Sequence, residues 1–240
     1  KILSLPVNAS IWGLLIVLFI AMVVVSQFML TFGSDPNAKV TKKSKSPLSF
    51  HPIALIFGLL SFVSYLVEGA VGDWSALYLF EDKGIVIEEA VMGVMLFNGT
   101  MCIGRLLGNR LGKHLTSKQV VVGGYLLGSI AMGLIVFLPG HASMYTYLLL
   151  GISLAMIVPN LFSAMGEQNV IPMTQAVATS TMLGYMGILM GPALIGFIAH
   201  GTSLTVAFIV LTTLLVVSAG IGKYAYHLMS KDCGLSEEQI

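Results

Sequence analysis

Seven apolar runs decide what this chain can fold into. They cover about 9–32, 53–80, 89–110, 119–138, 143–166, 171–199 and 203–228. Each is long enough to cross about 30 Å of hydrocarbon at about 1.5 Å of rise per helical residue. No water satisfies backbone N–H and C=O groups inside lipid, so spans of this kind fold as helices. Composition agrees, with 56% hydrophobic and only 10% charged residues, where a soluble domain carries about 25% charged residues. The expected fold class is an all-α, polytopic membrane protein with seven transmembrane helices.

The connections are short except for residues 33–52. That stretch holds Asp35, Pro36, Pro47 and the lysines Lys39, Lys42, Lys43 and Lys45. It reads as a flexible basic linker between the first span and the other six. Other basic residues fall on the same side: Arg105, Arg110, Lys113 and Lys118 around one junction, Lys223 and Lys231 near the end. The opposite side has Lys1 and Lys83, the latter among Glu81, Asp82, Glu88 and Glu89. The positive-inside rule then places the linker and the polar tail, 229–240, in the cytoplasm. The sequence begins at Lys1 rather than Met, and the first run is too long for a signal-peptide core and has no basic region before it. The chain is therefore expected to lack its natural start.

Several function classes lose support. A net charge of +1 gives no field that favours nucleic acid. Cys102 and Cys233 make neither a disulfide framework nor a metal-ligand spacing. His51, His114, His141, His200 and His227 sit at segment ends or in loops, without ligand spacing, and no Gly-rich loop with a lysine cradles phosphate. No enzyme activity, metal or cofactor is expected.

The second run carries the main anomaly. Within it stand Tyr65, Glu68, Asp73, Trp74 and Tyr78. An acid in hydrocarbon costs roughly 2.5–3.5 kcal/mol on insertion scales, so it usually faces protein or water and usually has a task. Wound as a helix, Ser61, Tyr65, Glu68, Gly72 and Ser75 share one face, opposite Val63, Val67 and Val71. Glu68 is thus expected to point into a bundle or a wet cavity near mid-depth, where it can carry a proton or touch a solute. The structural alternative is an acid paired with a buried arginine. Asp73, about 140° further round, serves a different partner nearer the outer end. Trp74 suits an interfacial aromatic belt as well as a substrate platform.

Other polar residues are weaker candidates. Asn98 and Asn160 can face a cavity or act as interhelical glue, worth roughly 0.6 kcal/mol. Tyr185 is a further lining candidate. Met182, Met186 and Met190, at i, i+4 and i+8, suit adaptable packing better than a metal path. Glycines stud the sixth run (Gly184, Gly187, Gly191, Gly196), with a kink expected at Pro192.

Three stretches resemble the major facilitator superfamily (MFS). Ile103-Gly104-Arg105-Leu106-Leu107-Gly108-Asn109-Arg110-Leu111-Gly112-Lys113 is similar to the cytoplasmic loop between the second and third helices of its C-terminal half. Asn109, or Lys113 in another register, stands where the usual form has an acid. Glu68-Gly69-Ala70-Val71-Gly72-Asp73-Trp74-Ser75-Ala76-Leu77-Tyr78-Leu79 resembles the seventh helix of the bacterial fucose-permease-like branch. Thr181-Met182-Leu183-Gly184-Tyr185-Met186-Gly187-Ile188-Leu189-Met190-Gly191-Pro192 resembles the eleventh helix of the same group.

The resemblance implies a domain plan. Residues 1–32 match helix six of an N-terminal half, 33–52 the linker, 53–228 the six-helix C-terminal half and 229–240 the tail. It implies a fragment of a secondary active transporter in a bacterial inner membrane, working by alternating access. A sugar-like solute moved with protons is the first expectation. The partners would be that small solute, H+, the bilayer and the missing N-terminal half. Glu68, Asp73, Tyr65, Trp74, Asn98, Asn160 and Tyr185 would serve substrate or coupling. Gly104, Arg105, Gly108, Asn109, Arg110, Gly112 and Lys113 would form the loop motif, and topology alone would also select its basic residues. Two alternatives stand beside this: a drug or metabolite efflux antiporter, and a complete seven-helix receptor or scaffold.

Overall fold

The computed structural model describes residues 7–32, 51–111 and 115–233. Most of the 33–52 linker, Gly112, Lys113 and the end of the tail lie outside the described residues. All regular structure among the described residues is helical. The chain divides into two compact units, residues 1–45 and 46–240. The first unit holds α1 (Val7–Phe32), helical as expected. The apolar stretch that stands out within it is Leu15–Val24, so a seventh crossing remains an expectation from sequence.

The second unit holds α2 (Pro52–Glu81), α3 (Ile87–Leu111), α4 (Ser117–Phe137), α5 (Gly140–Ala155), α6 (Ile157–Glu167), α7 (Met173–Gly201) and α8 (Leu204–Cys233). It contains six segments long and apolar enough to cross a membrane. They match the six later runs, with two differences. The run expected at 143–166 is a broken span, α5 then α6, because Pro159 has no N–H for the Ala155 carbonyl and its ring crowds the preceding turn. Asn160 repairs the break: its backbone N–H and its side-chain amide both donate to the Met156 carbonyl, at 3.2 and 2.8 Å. The last helix also runs on to Cys233, past the expected end at 228.

Helix starts follow local chemistry. Pro52 occupies the first turn of α2, where its missing N–H costs nothing, and the His51 ring accepts from Ile53 N–H at 3.3 Å. Thr116 and Gln119 form a reciprocal capping box on α4. The turn after α2 needs a left-handed residue and has Gly84 at φ 67°.

α2 is the central helix of the unit. It packs most closely on α7, also meets α3, α5, α6 and α8, and separates α3 from α7. The α2–α7 crossing depends on glycine. A Cβ at Gly187 would collide with the Phe62 carbonyl, and one at Gly191 would lie 2.5 Å from the Leu66 carbonyl oxygen. Backbones approach this closely in membranes only through small residues. Buried polar ties also hold the core. The fully buried Tyr125 donates to the Leu60 carbonyl at 2.7 Å, so the Ser64 hydroxyl, 2.8 Å away, must be the donor to Tyr125.

Candidate functional site

The site begins with how α2 is covered. Val63, Val67 and Val71 pack into the core, and the opposite face is more open. The polar stripe expected from winding the helix is not uniformly open. Ser61 and Ser75 are wholly buried, Tyr65 and Glu68 are half-buried, and Gly72 is exposed. Helices cross at an angle rather than running parallel, so neighbours cover the two ends of the stripe and leave its middle accessible.

At that middle, Arg105 Nη2 donates to both Glu68 carboxylate oxygens, at 3.2 and 3.4 Å. The side chains are 44% and 22% exposed. Arg105 lies six residues before the end of α3, and its Cβ tilts toward the helix N-terminus. It therefore leans toward mid-membrane to reach Glu68. Arg105, expected in the loop motif, thus lies within α3 and pairs with an acid on the neighbouring helix.

One turn before Glu68, Tyr65 stacks on Tyr185 of α7 with ring centroids 6.0 Å apart and planes 6° off parallel. A continuous line, Tyr185–Tyr65–Glu68–Arg105, thus crosses α7, α2 and α3. Asn98 lies two turns from Arg105 along α3, which puts it on the same face. It is exposed, and its amide donates to the Val94 carbonyl at 3.0 Å. Cys102 is exposed between them. Met95, Met182, Met186 and Leu189 are also exposed on α3 and α7. The methionine stripe of Met182, Met186 and Met190 is thus about half-exposed among the described residues.

Other expected site residues go elsewhere. Asp73 is exposed on another side of α2 and does not join Glu68. The Trp74 indole donates to the Pro192 carbonyl at 2.9 Å. That contact, with Gly196 leaving room for the ring and Gly69 seated on the Ile188 carbonyl, ties α2 to α7 around Pro192. Pro192, inside α7, cannot donate to the Ile188 carbonyl, and α2 grips α7 at that point. The indole N–H is not available to a solute. The Asn160 amide likewise donates one N–H to the Met156 carbonyl at the α5–α6 break. Gly104 and Gly108 are buried packing positions: a Cβ at Gly104 would lie 2.6 Å from Ala155 Cβ, and one at Gly108 would collide with Met156. They seat α3 against that same break. Asn109 and Arg110 belong to α3, and their side chains lie outside what the structure describes.

Sequence reasoning missed several polar ties. Buried Gln168 donates to the Met165 and Ile171 carbonyls and accepts from Val170 and Ile171 N–H, which closes the α6–α7 turn. At the other membrane face His141 meets Glu89 at 2.7 Å, and Thr205 donates to Asp82 at 2.8 Å. Lys83 Nζ donates to the Val136 carbonyl at 2.6 Å and lies 5.3 Å from the Tyr78 ring centre. Burial pushes the Lys83 amine below the usual lysine range, against the opposing pull of Asp82. Most of these residues stood at segment ends, and their partners, several of them on neighbouring helices, were hidden.

The fold and site define a multi-pass α-helical membrane protein whose accessible face carries an acid–arginine pair between stacked tyrosines and an asparagine. The relatives are of that class. Over 168 residues the chain is 41% identical to a Yersinia pestis protein described as an uncharacterized MFS-type transporter, covering 69% of this chain and 43% of that one. It is 30% identical over 170 residues to the membrane protein MosC of Rhizobium meliloti, with 70% and 42% covered. Its fold matches the crystal structure of the E. coli fucose:proton symporter FucP with a TM-score of 0.64, at 16% identity, over 73% of this chain and 43% of that one. At that identity the likeness shows the fold alone. No protein-family profile matches. The chain belongs to the major facilitator superfamily, and it spans less than half the length of the relatives it matches.

Proposed function

We propose that this chain is one part of a secondary active transporter that moves a small polar solute by alternating access, coupled to protons. The observation that carries the reading is the Glu68–Arg105 pair on the open middle of α2. An acid that deep is retained against a desolvation cost, and a proton is the simplest thing that switches its pairing. Ionised, Glu68 holds Arg105. Protonated, it loses the charge attraction and releases a cation beside the stacked tyrosines. Proton binding and solute binding then act on the same few atoms, which is what coupling requires.

The open face of α2, α3 and α7 would form one wall of the central cavity. The partner is the other six-helix half, expected N-terminal to the basic linker. Lys/Arg asymmetry supports a cytoplasmic linker and C-terminus, and the bacterial relatives support an inner-membrane location. Tyr65, Tyr185 and Asn98 offer aromatic faces and a side-chain amide, which suit a hydroxyl-rich, sugar-like solute. The solved fold neighbour is a fucose:proton symporter, which puts sugars first in a screen. A second reading has one observation in its favour. The exposed Met95, Met182, Met186 and Leu189 give the same face an adaptable apolar surface, which suits efflux of an amphiphile.

Cys102 supplies the test. In the full-length transporter carrying Cys233→Ser, a panel of sugars, organic acids and amphiphilic cations is screened for protection of Cys102 against a maleimide. A sugar that protects and is taken up in response to an inward proton gradient supports the first reading. Protection by amphiphiles alone, with outward transport, supports the second. Protection by no solute, with no transport, removes the site.

A further inference from the structure

The Glu68–Arg105 contact uses one corner of the guanidinium. Both hydrogen bonds leave from Nη2, at 3.2 and 3.4 Å, longer than the about 2.7–2.9 Å of a tight charge-assisted bond. Nε and Nη1 have no partner among the described residues. The Arg105 side chain is 44% exposed, so donors suited to a planar carboxylate remain within reach of a solute. No second acid answers Arg105 from the neighbouring helices. Asp73 is exposed on another side of α2, and α7 carries no acidic residue. Asn98, two turns away on α3, gives one amide N–H to Val94 and keeps its carbonyl oxygen without a partner among the described residues. About 10 Å of helix separates Asn98 from Arg105, which is the scale of a sugar.

We propose that the solute is a hydroxylated carboxylate, a sugar acid, carried as its anion together with one proton. This rests on the reading of Glu68 as the proton site and adds the charge of the cargo. A guanidinium keeps its charge, so the sum of charges in the site decides which states cross a low-dielectric barrier. Empty, ionised Glu68 balances Arg105. A proton alone leaves Arg105 uncompensated, and a proton with a neutral sugar does the same. An anion alone meets ionised Glu68 and leaves an excess negative charge. A proton and a carboxylate together return the sum to zero: the proton sits on Glu68, and the anion takes its place on Nη2 and the donors beside it. Neither ligand satisfies the site without the other, and that is the coupling. The groups around Glu68 leave this balance intact. Arg105 acts on it from α3, and Tyr65, on the same helix, stacks on Tyr185 of α7. Cys102 lies one turn from Arg105 and is exposed; an ordinary phenol or thiol is uncharged at neutral pH. The helices α5, α6 and α8 also meet α2, and no charge on them acts on Glu68 among the described residues. The stacked tyrosines and Asn98 receive the hydroxyl-bearing part of the solute.

The full-length protein carrying Cys233→Ser is challenged with matched probes: gluconate against glucitol, and glucuronate and galacturonate against glucose and galactose. Protection of Cys102 from a maleimide is followed by mass spectrometry of its peptide, and circular dichroism confirms that each variant is folded. The acids should protect at about tenfold lower concentration than their neutral counterparts, and better in mildly acid than in mildly alkaline buffer. Glu68→Gln, which keeps residue 68 uncharged, should bind the acids equally in both. Arg105→Gln should abolish the preference for acids, and Arg105→Lys should restore part of it. Uptake of a protecting acid into vesicles under a fixed inward proton gradient should be unchanged by an imposed inside-negative potential, because the transported sum is neutral. Neutral sugars that protect as well as the acids, or uptake accelerated several-fold by the potential, overturn the anion assignment and leave Glu68 standing as the proton site. Acid protection independent of pH in the parent protein overturns the proton reading beneath it. Protection by neither class overturns both.

Discussion

Arg105 and Glu68 meet 3.2 Å apart although their backbones sit at different depths. Glu68 lies thirteen residues before the end of α2 and Arg105 eighteen after the start of α3, a difference of about 7 Å along the bundle. An arginine selected only to mark the cytoplasmic side would extend toward water. This one extends the other way. Exposed ion pairs contribute about 0–1 kcal/mol, and breaking a buried one costs about 3–5. With the acid 22% and the guanidinium 44% exposed, the pair falls near the lower range. A double-mutant cycle on thermal unfolding with Glu68→Gln and Arg105→Gln should give a coupling of roughly 1 kcal/mol. Zero coupling would mean that the contact does not exist in solution.

The α2–α7 crossing gives a sharper stability prediction. Gly187→Leu would drive side chain into the Phe62 carbonyl, and overpacking of this kind costs about 1–3 kcal/mol or more. Gly72 has nothing within 4 Å of its Cβ position, so Gly72→Leu should leave the unfolding midpoint unchanged. Equal midpoints for the two variants would contradict the crossing.

Trp74 tests the contact at Pro192 separately. Trp74→Phe keeps most of the ring but removes the donor to Pro192. A net loss of about 1 kcal/mol is expected, seen as a lower unfolding midpoint. Solute affinity should be unchanged, because the indole N–H does not face a solute. A selective loss of binding with normal stability would return Trp74 to the site.

Lys83 predicts a pH dependence. Its folded-state value lies below the 10.5 of the free side chain. Between the two, the unfolded chain binds more protons, so this group makes stability rise with pH across that window. The side chain is half-buried, and screening keeps the effect small. Lys83→Met should flatten the rise in unfolding midpoint on approaching pH 10.5; a slope identical to that of the parent protein would count against it.

Much of the fold was readable because the bilayer restricts the choices. Apolar length fixed the six spans of the second unit, since lipid leaves helices as the only solution for a single chain of this composition. Gly187 and Gly191 marked a helix face suited to close approach, though not the helix that it meets. The break at Met156 was less visible: it needed Pro159 to be read as ending a helix rather than bending one. In the site, helical winding put Tyr65 and Glu68 together and set Asp73 apart. It could not show which neighbouring helix each residue meets. Arg105 was therefore read only as part of the loop motif, Trp74 and Asn160 were each left between two roles, and Ser75 was placed on an open face that is in fact covered. These are tertiary facts, decided by crossing angles that one helix cannot encode.

The central claim is that Glu68 couples the proton to transport, and one comparison tests it most directly. Full-length protein and its Glu68→Gln variant are reconstituted in vesicles with a solute identified by Cys102 protection. Uptake driven by a pH gradient is measured beside solute–solute exchange at equal pH on both sides. The account predicts that Glu68→Gln abolishes driven uptake and retains exchange. Driven uptake at the parent rate, with the variant folded and exchanging normally, would contradict it.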